Sequence, residues 1–285
     1  MMKIAVLADI HGNLTALQTV IDHIEAWGPD QVIMAGDVVN RGPRPAECLD
    51  LVLQKQAEAG WLLVRGNHED YVLENTRPDA PQSGPQREVY RNSFWTLGQL
   101  NGQIQALEAM PFQVDLPGPD GREVRAVHAS MRDNRTGIYP GMSDEVLRPL
   151  IAPPPAVLCV GHTHRPLIRR VDETLVVNVG SVGVSFDGDR RAAYAQLLWE
   201  NGRWQAEIIR LAYDWNKVEQ DFRDSGFMAG AGELTHLMLV EFQQARPYLH
   251  HWIHRHEAHV LSGEMSLSDS VRLFAREVIG IAVDS

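Results

Sequence analysis

The chain has 285 residues, enough for one large domain or for a domain with a substantial appendage. Its composition, 44% hydrophobic and 22% charged, is ordinary for a globular protein with a full core. A formal net charge of -11 argues against nucleic acid as the main partner, because counterion release needs clustered Lys and Arg, but bound cations can still make a local phosphate site.

Lys3-Ile4-Ala5-Val6-Leu7-Ala8-Asp9 is an apolar run ending in a polar residue, as expected of a strand buried on both faces. Leu14, Leu17, Val20, Ile21 and Ile24 follow at helical spacing, and Gly28-Pro29 stops that helix. Gln31–Ala35 reads as a second strand ending at Gly36-Asp37, and Cys48, Leu49, Val52 and Leu53 mark a second helix. Trp61–Val64 is a third strand ending at Gly66-Asn67-His68. This alternation implies parallel strands with right-handed crossovers. From Tyr71 to Gln105 a Pro-rich loop and the apolar positions Tyr90, Phe94, Trp95, Leu97 and Leu100 suggest a helical insertion capping one end of the core. Seven further strands are expected at 112–116, 123–127, 157–160, 167–171, 175–179, 193–199 and 204–211. After Asp214 the pattern turns helical, with Leu234, Leu237, Met238, Glu241 and Phe242 on one stripe. The expected organisation is a catalytic domain over 1–213 and a helical extension over 214–285 packed on it.

The two cysteines, Cys48 and Cys159, suggest a reducing compartment rather than a disulfide framework. The segment from Met1 to Asp9 is too short and too soon charged for a signal peptide, and no apolar run approaches a membrane span. A cytoplasmic protein with no membrane partner is the expectation, with a homo-oligomer left open.

The chemistry collects where the strands end. Asp9-Ile10-His11, Gly36-Asp37, Gly66-Asn67-His68, His128 and Gly161-His162-Thr163-His164 each follow an apolar run. In open α/β sheets ligands bind beyond the carboxyl ends of the strands, so these segments converge on one edge. Each fragment alone is commonplace. Together and in order they point to a metal site.

Those segments resemble the calcineurin-like metallophosphoesterase superfamily, whose pattern is DxH, GDxxxR, GNH[DE], a later H and GHxH. The resemblance implies an α/β sandwich of two mixed sheets flanked by helices, with Asn178-Val179-Gly180-Ser181-Val182-Gly183 similar to a segment of the small bacterial phosphodiesterase branch. It also implies one metal held by Asp9, His11, Asp37 and His164, and a second by Asp37, Asn67, His128 and His162, with Asp37 bridging through its two oxygens. Oxygen and imidazole ligands without thiolate suit two divalent transition-metal ions, Mn first, with Fe, Zn, Co or Ni as alternatives. Such a pair can generate a bridging hydroxide near neutral pH and stabilise an in-line displacement at phosphorus. His68 is assigned to protonating the departing alkoxide or to stabilising transition-state charge, and Asp9 is a candidate to orient it. Arg41 can bind a phosphate oxygen through its planar fork or stand in a solvated turn.

The expected function is therefore phosphodiester hydrolysis on small or nucleotide substrates. Diadenosine-tetraphosphate hydrolases and Ser/Thr protein phosphatases share the first three motifs and are the enzyme alternatives. A non-enzymatic scaffold of the same fold should have lost ligand positions, and here all are intact. Glu69 reads as the start of the next helix, favoured there by the dipole. Asn40 stands where protein phosphatases carry Asp, which removes an ion pair. The run His250-His251-Trp252-Ile253-His254-Arg255-His256-Glu257-Ala258-His259 reads as a partly exposed helix face at the active-site rim or another subunit, in preference to a further metal site.

Overall fold

The computed structural model describes residues 1–281. Ten strands form two five-stranded sheets. The first contains β1 (Met2–Leu7), β2 (Gln31–Met34), β3 (Leu62–Leu63), β9 (Ala192–Glu200) and β10 (Arg203–Leu211), ordered β10-β9-β1-β2-β3. Its β1, β2 and β3 are parallel, and β9 joins β1 antiparallel. The second sheet contains β4 (Gln113–Pro117), β5 (Glu123–Val127), β6 (Val157–Val160), β7 (Leu167–Val171) and β8 (Thr174–Asn178), ordered β4-β5-β6-β8-β7. Every strand expected from the sequence is present.

Side-chain alternation explains why the sheets stack. Ile4, Val6 and Ala8 of the first sheet face inward against Val124, Ala126, Val157, Cys159 and Val177 of the second. Ala5 and Leu7 point the other way, into a second core under the helices Leu14–Trp27 and Pro45–Ala59. A strand buried on both faces must be apolar at every position, and Ile4 to Ala8 are fully buried. Burying each such aliphatic side chain contributes about 1.5–3 kcal/mol. Asn13 starts the first helix by accepting from the Ala16 N–H, and Gly28 ends it in the left-handed region. The helix Asp144–Ile151 covers the outer face of the second sheet.

Helices Asn67–Glu74, Pro85–Val89, Arg91–Gln99 and Ile104–Ala109 follow β3, where the sequence points to a helical insertion. Asp214 caps the helix Trp215–Asp224, as the end of the strand signals anticipates. The helices from 215 onward share a core of Phe222, Phe227, Leu237, Phe242, Trp252 and Phe274, to which Val89 contributes from the insertion. The two helical segments thus meet over the carboxyl ends of the strands. Among the described residues, no helix is long and apolar enough to cross a membrane.

Candidate active site

The parallel strands deliver the predicted residues to one place. Asp9, His11 and His164 present ligand atoms within 4.8 Å of one another, and so do Asp37, His128 and His162. Asp37 joins the halves, because its Oδ2 lies 3.6 Å from His11 Nε2 and 3.2 Å from His128 Nε2. Asn67 Oδ1 lies 2.9 Å from both His128 Nε2 and His162 Nδ1. All seven predicted ligand positions and His68 therefore converge.

Asp37 departs from expectation in one respect. Its Oδ1 accepts the His68 backbone N–H at 2.9 Å, which leaves Oδ2 alone facing both halves. Asp9 is used in the same way, with Oδ2 accepting the His162 N–H at 2.9 Å and Oδ1 facing His164 Nε2 at 3.4 Å. The backbone approaches these carboxylates so closely that a Cβ on Gly66 would collide with Asp37, and one on Gly161 with Asp9. Of eleven non-glycine residues with positive φ among those described, seven stand here: Asp9, His11, Asp37, Asn40, Arg41, His162 and His164. Backbone strain of this kind concentrates at functional sites, because the surroundings must over-determine it.

The arrangement fits divalent cations. Asp9 Oδ1 and His11 Nδ1 are buried without a hydrogen bond, and the Nε2 atoms of His11 and His164 face each other at 3.2 Å. His128 Nδ1 donates to the Ala35 carbonyl and His164 Nδ1 to that of Val184, which aims each Nε2 inward. Carboxylate, imidazole and amide oxygen form a donor set suited to Mn, Fe or Zn. Burial opposes charge on these side chains, yet Asp37 and its hydrogen bond outweigh it at His128, whose pKa rises to about 10. Burial pushes His68 down to about 3 and His162 to about 4, with His128 adding to the effect at His162. For Asp37 burial is again opposed, and His128 with His68 holds the carboxylate well below its ordinary range.

Three supports escaped sequence reasoning. Glu69 does stand in the first turn of a helix, but its fully buried carboxylate does more. It accepts the N–H groups of Asp37, Val38 and Gly66 at 2.8 Å and that of Val39 at 3.2 Å, clamping the loop that carries Asp37. Glu69→Ala strands four buried donors, each costing about 1–3 kcal/mol, so a loss of at least about 3 kcal/mol is expected in urea unfolding. A second support is Asn40, which takes the place proposed for Asp9. Its Nδ2 meets His68 Nδ1 at 3.0 Å, and its Oδ1 accepts from the Arg41 N–H at 3.0 Å and Asn92 at 2.9 Å. The backbone N–H fixes the amide orientation, so Asn40 donates to His68 Nδ1 and the neutral ring carries its proton on Nε2. The third is the 178–183 segment, where Asn178 donates to the Gly161 carbonyl and Ser181 to that of Asp9, both at 2.8 Å.

Arg41 is neither solvated nor unpartnered. Its guanidinium pairs with Glu241, which is 1% exposed and also accepts the Leu249 N–H at 2.7 Å. Burial raises the Glu241 pKa, and Arg41 offsets part of that rise. An acidic residue on the apolar stripe of the helix Thr235–Gln244 was the available signal. A cleft of about 650 Å³ opens over the centre, walled by Tyr71, Arg135, Arg165 and Phe186. Exposed His250, His251 and His254 form its rim, as one reading of the His-rich run expected.

Comparison with known proteins agrees with this geometry. The family model for calcineurin-like phosphoesterases matches residues 2–166. The phosphodiesterase YfcE of Escherichia coli is 26% identical over 206 residues, covering 69% of this chain and 88% of YfcE. An uncharacterised protein of Methanocaldococcus jannaschii is 27% identical over 239 residues, covering 75% of this chain and 89% of its own. The crystal structure of a metallophosphoesterase from Sphaerobacter thermophilus superposes with a TM-score of 0.68 at 26% identity, covering 86% of this chain and 99% of that one. With its motifs gathered from both sheets into one place and the family model spanning more than half its length, the chain belongs to the calcineurin-like phosphoesterases and is a phosphoester hydrolase.

Proposed function

We propose that this enzyme is a phosphodiesterase for small or nucleotide substrates, working with two divalent metal ions, Mn foremost. The observation that carries the reading is Asp37 Oδ2, placed between His11 and His128 so that one carboxylate serves both halves of the centre. Asp9, His11 and His164 would complete one half, and Asn67, His128 and His162 the other. Cations held there would polarise the phosphoryl oxygens and lower the pKa of water toward neutrality.

The chain's own residues then do the rest. His68, held through Nδ1 by Asn40, presents its Nε2 proton toward the departing oxygen. Arg41, braced by Glu241, lines the cleft and holds a non-bridging oxygen. Arg41→Ala should lower kcat/KM by about 10–100-fold, the worth of a hydrogen bond to a charged group, without releasing metal. The insertion and the described part of the extension, 214–281, roof the catalytic domain rather than forming a separate unit. Two buried free thiols, Cys48 and Cys159, suit a reducing cytoplasm.

The test compares bis-p-nitrophenyl phosphate with p-nitrophenyl phosphate, using metal-stripped protein resupplied with Mn. Faster diester cleavage that requires added metal is expected. A faster monoester reaction would overturn the phosphodiesterase assignment.

A further inference from the structure

Beside the main cleft lies a recess of about 210 Å³ whose floor is Asn40, Arg41 and His68. Tyr71, Val89 and Tyr90 of the insertion form one wall, and Met238, Leu249 and Ile253 of the C-terminal extension form the other. Trp252, fully buried with its indole N–H donated to Ser270 at 3.1 Å, and Glu257, accepting from Tyr90 at 3.3 Å, also line it, together with the neutral polar Asn92 and Ser93 and with Leu234. The recess adjoins the cleft, for Arg41, His68, Tyr71, Leu249 and Ile253 line both.

Resting on the phosphodiesterase reading, we propose that this recess receives the departing alcohol of the substrate, an uncharged group of single-ring or short-chain size. Position is the first argument. His68 stands at the junction, so an oxygen taking its proton leaves on the recess side while the phosphorus stays over the metal ligands. In that step water oxygen bonds to phosphorus and the ester P–O bond breaks. The departing oxygen takes the His68 proton, and a proton from the water restores the ring.

Charge is the second argument. Among the described residues, the one cation in the recess lining, Arg41, is paired with Glu241 and already assigned to the phosphoryl group in the cleft. The carboxylate in the lining is Glu257, so a second phosphate finds no further positive partner there. Arg135 and Arg165 face the open cleft instead, where the retained half of the diester lies. Size is the third. An apolar cavity of about 150 Å³ holds benzene, so this recess takes one substituted ring and not a nucleoside. A π-helical turn at Ile253–Glu257 places Ile253 at the shared mouth, where it is 38% exposed.

The experiment has two arms. Turnover of methyl 4-nitrophenyl phosphate is compared with that of methyl 4-nitro-1-naphthyl phosphate, which differ by one ring at similar leaving-group acidity. Separately, saturation-transfer NMR follows phenol binding to the metal-loaded protein. The wild type should favour the phenyl ester by about tenfold or more in kcat/KM, a typical penalty for a group that overfills a pocket. Met238→Ala should shrink that preference toward unity. Ile253→Trp, at an exposed position that tolerates a larger side chain, should raise KM for the phenyl ester and abolish phenol transfer. An unchanged ring preference in both variants, with diester turnover intact, would sink the recess assignment. Phenol transfer lost in Ile253→Trp, in a protein that cleaves no diester, would support the recess as an alcohol site and overturn the phosphodiesterase reading instead.

Discussion

Asp37→Ala should lose bound metal and turnover together. One oxygen of this carboxylate faces both His11 and His128, and the other accepts the His68 N–H, so the substitution removes an oxygen shared by the two halves and a backbone anchor of His68 as well. His128, held charged by Asp37 in the absence of cations, returns toward a neutral imidazole once the carboxylate is gone. The expected fall in kcat exceeds about 10³-fold, more than the loss of a single transition-state hydrogen bond. Metal content by plasma mass spectrometry should drop from two equivalents to at most one. Two equivalents retained with normal turnover would remove Asp37 from the centre. Folding should persist, because Glu69 still clamps the Asp37–Val39 backbone through N–H groups that the side chain does not supply.

His68→Ala should behave differently, keeping the wild-type metal content and losing about 10²–10⁴-fold in kcat. The ring meets Asn40 through Nδ1 and Tyr71 at a centroid distance of 5.1 Å, so its loss removes the proposed proton donor while leaving all seven predicted ligand positions in place. The defect should be greatest for alcohols that leave poorly and least for nitrophenolate, which needs little protonation. Equal loss across leaving groups, or loss of metal, would refute the proton-donor role. Asn40→Ala offers a milder version, freeing the ring without deleting it.

The catalytic centre was legible because chemistry and topology coincide in it. Parallel strands are apolar throughout, so the first polar residues after each run stand out, and parallel alignment forces those residues to one edge. The same logic placed the strands and the first helix, whose Gly28 end is a local backbone matter. Glu69, Asn40 and Glu241 were not legible as supports. Each lies within an ordinary helical or turn pattern, and its role depends on partners 30, 53 and 200 residues away, at Val39, Ser93 and Arg41.

The sequence by itself therefore determined the strands and the candidate ligand residues and, through the family resemblance of its motifs, the sandwich and the class of reaction. Strand periodicity and strand-end chemistry are short-range signals that one chain segment carries alone. Tertiary structure decided which oxygen of Asp37 faces the two halves, which side chain meets His68 Nδ1, and that the insertion and the C-terminal helices line a small recess beside the centre. Those outcomes arise from packing between segments far apart in the chain, where the partner of a buried polar group is set by the fold and not by its neighbours in sequence.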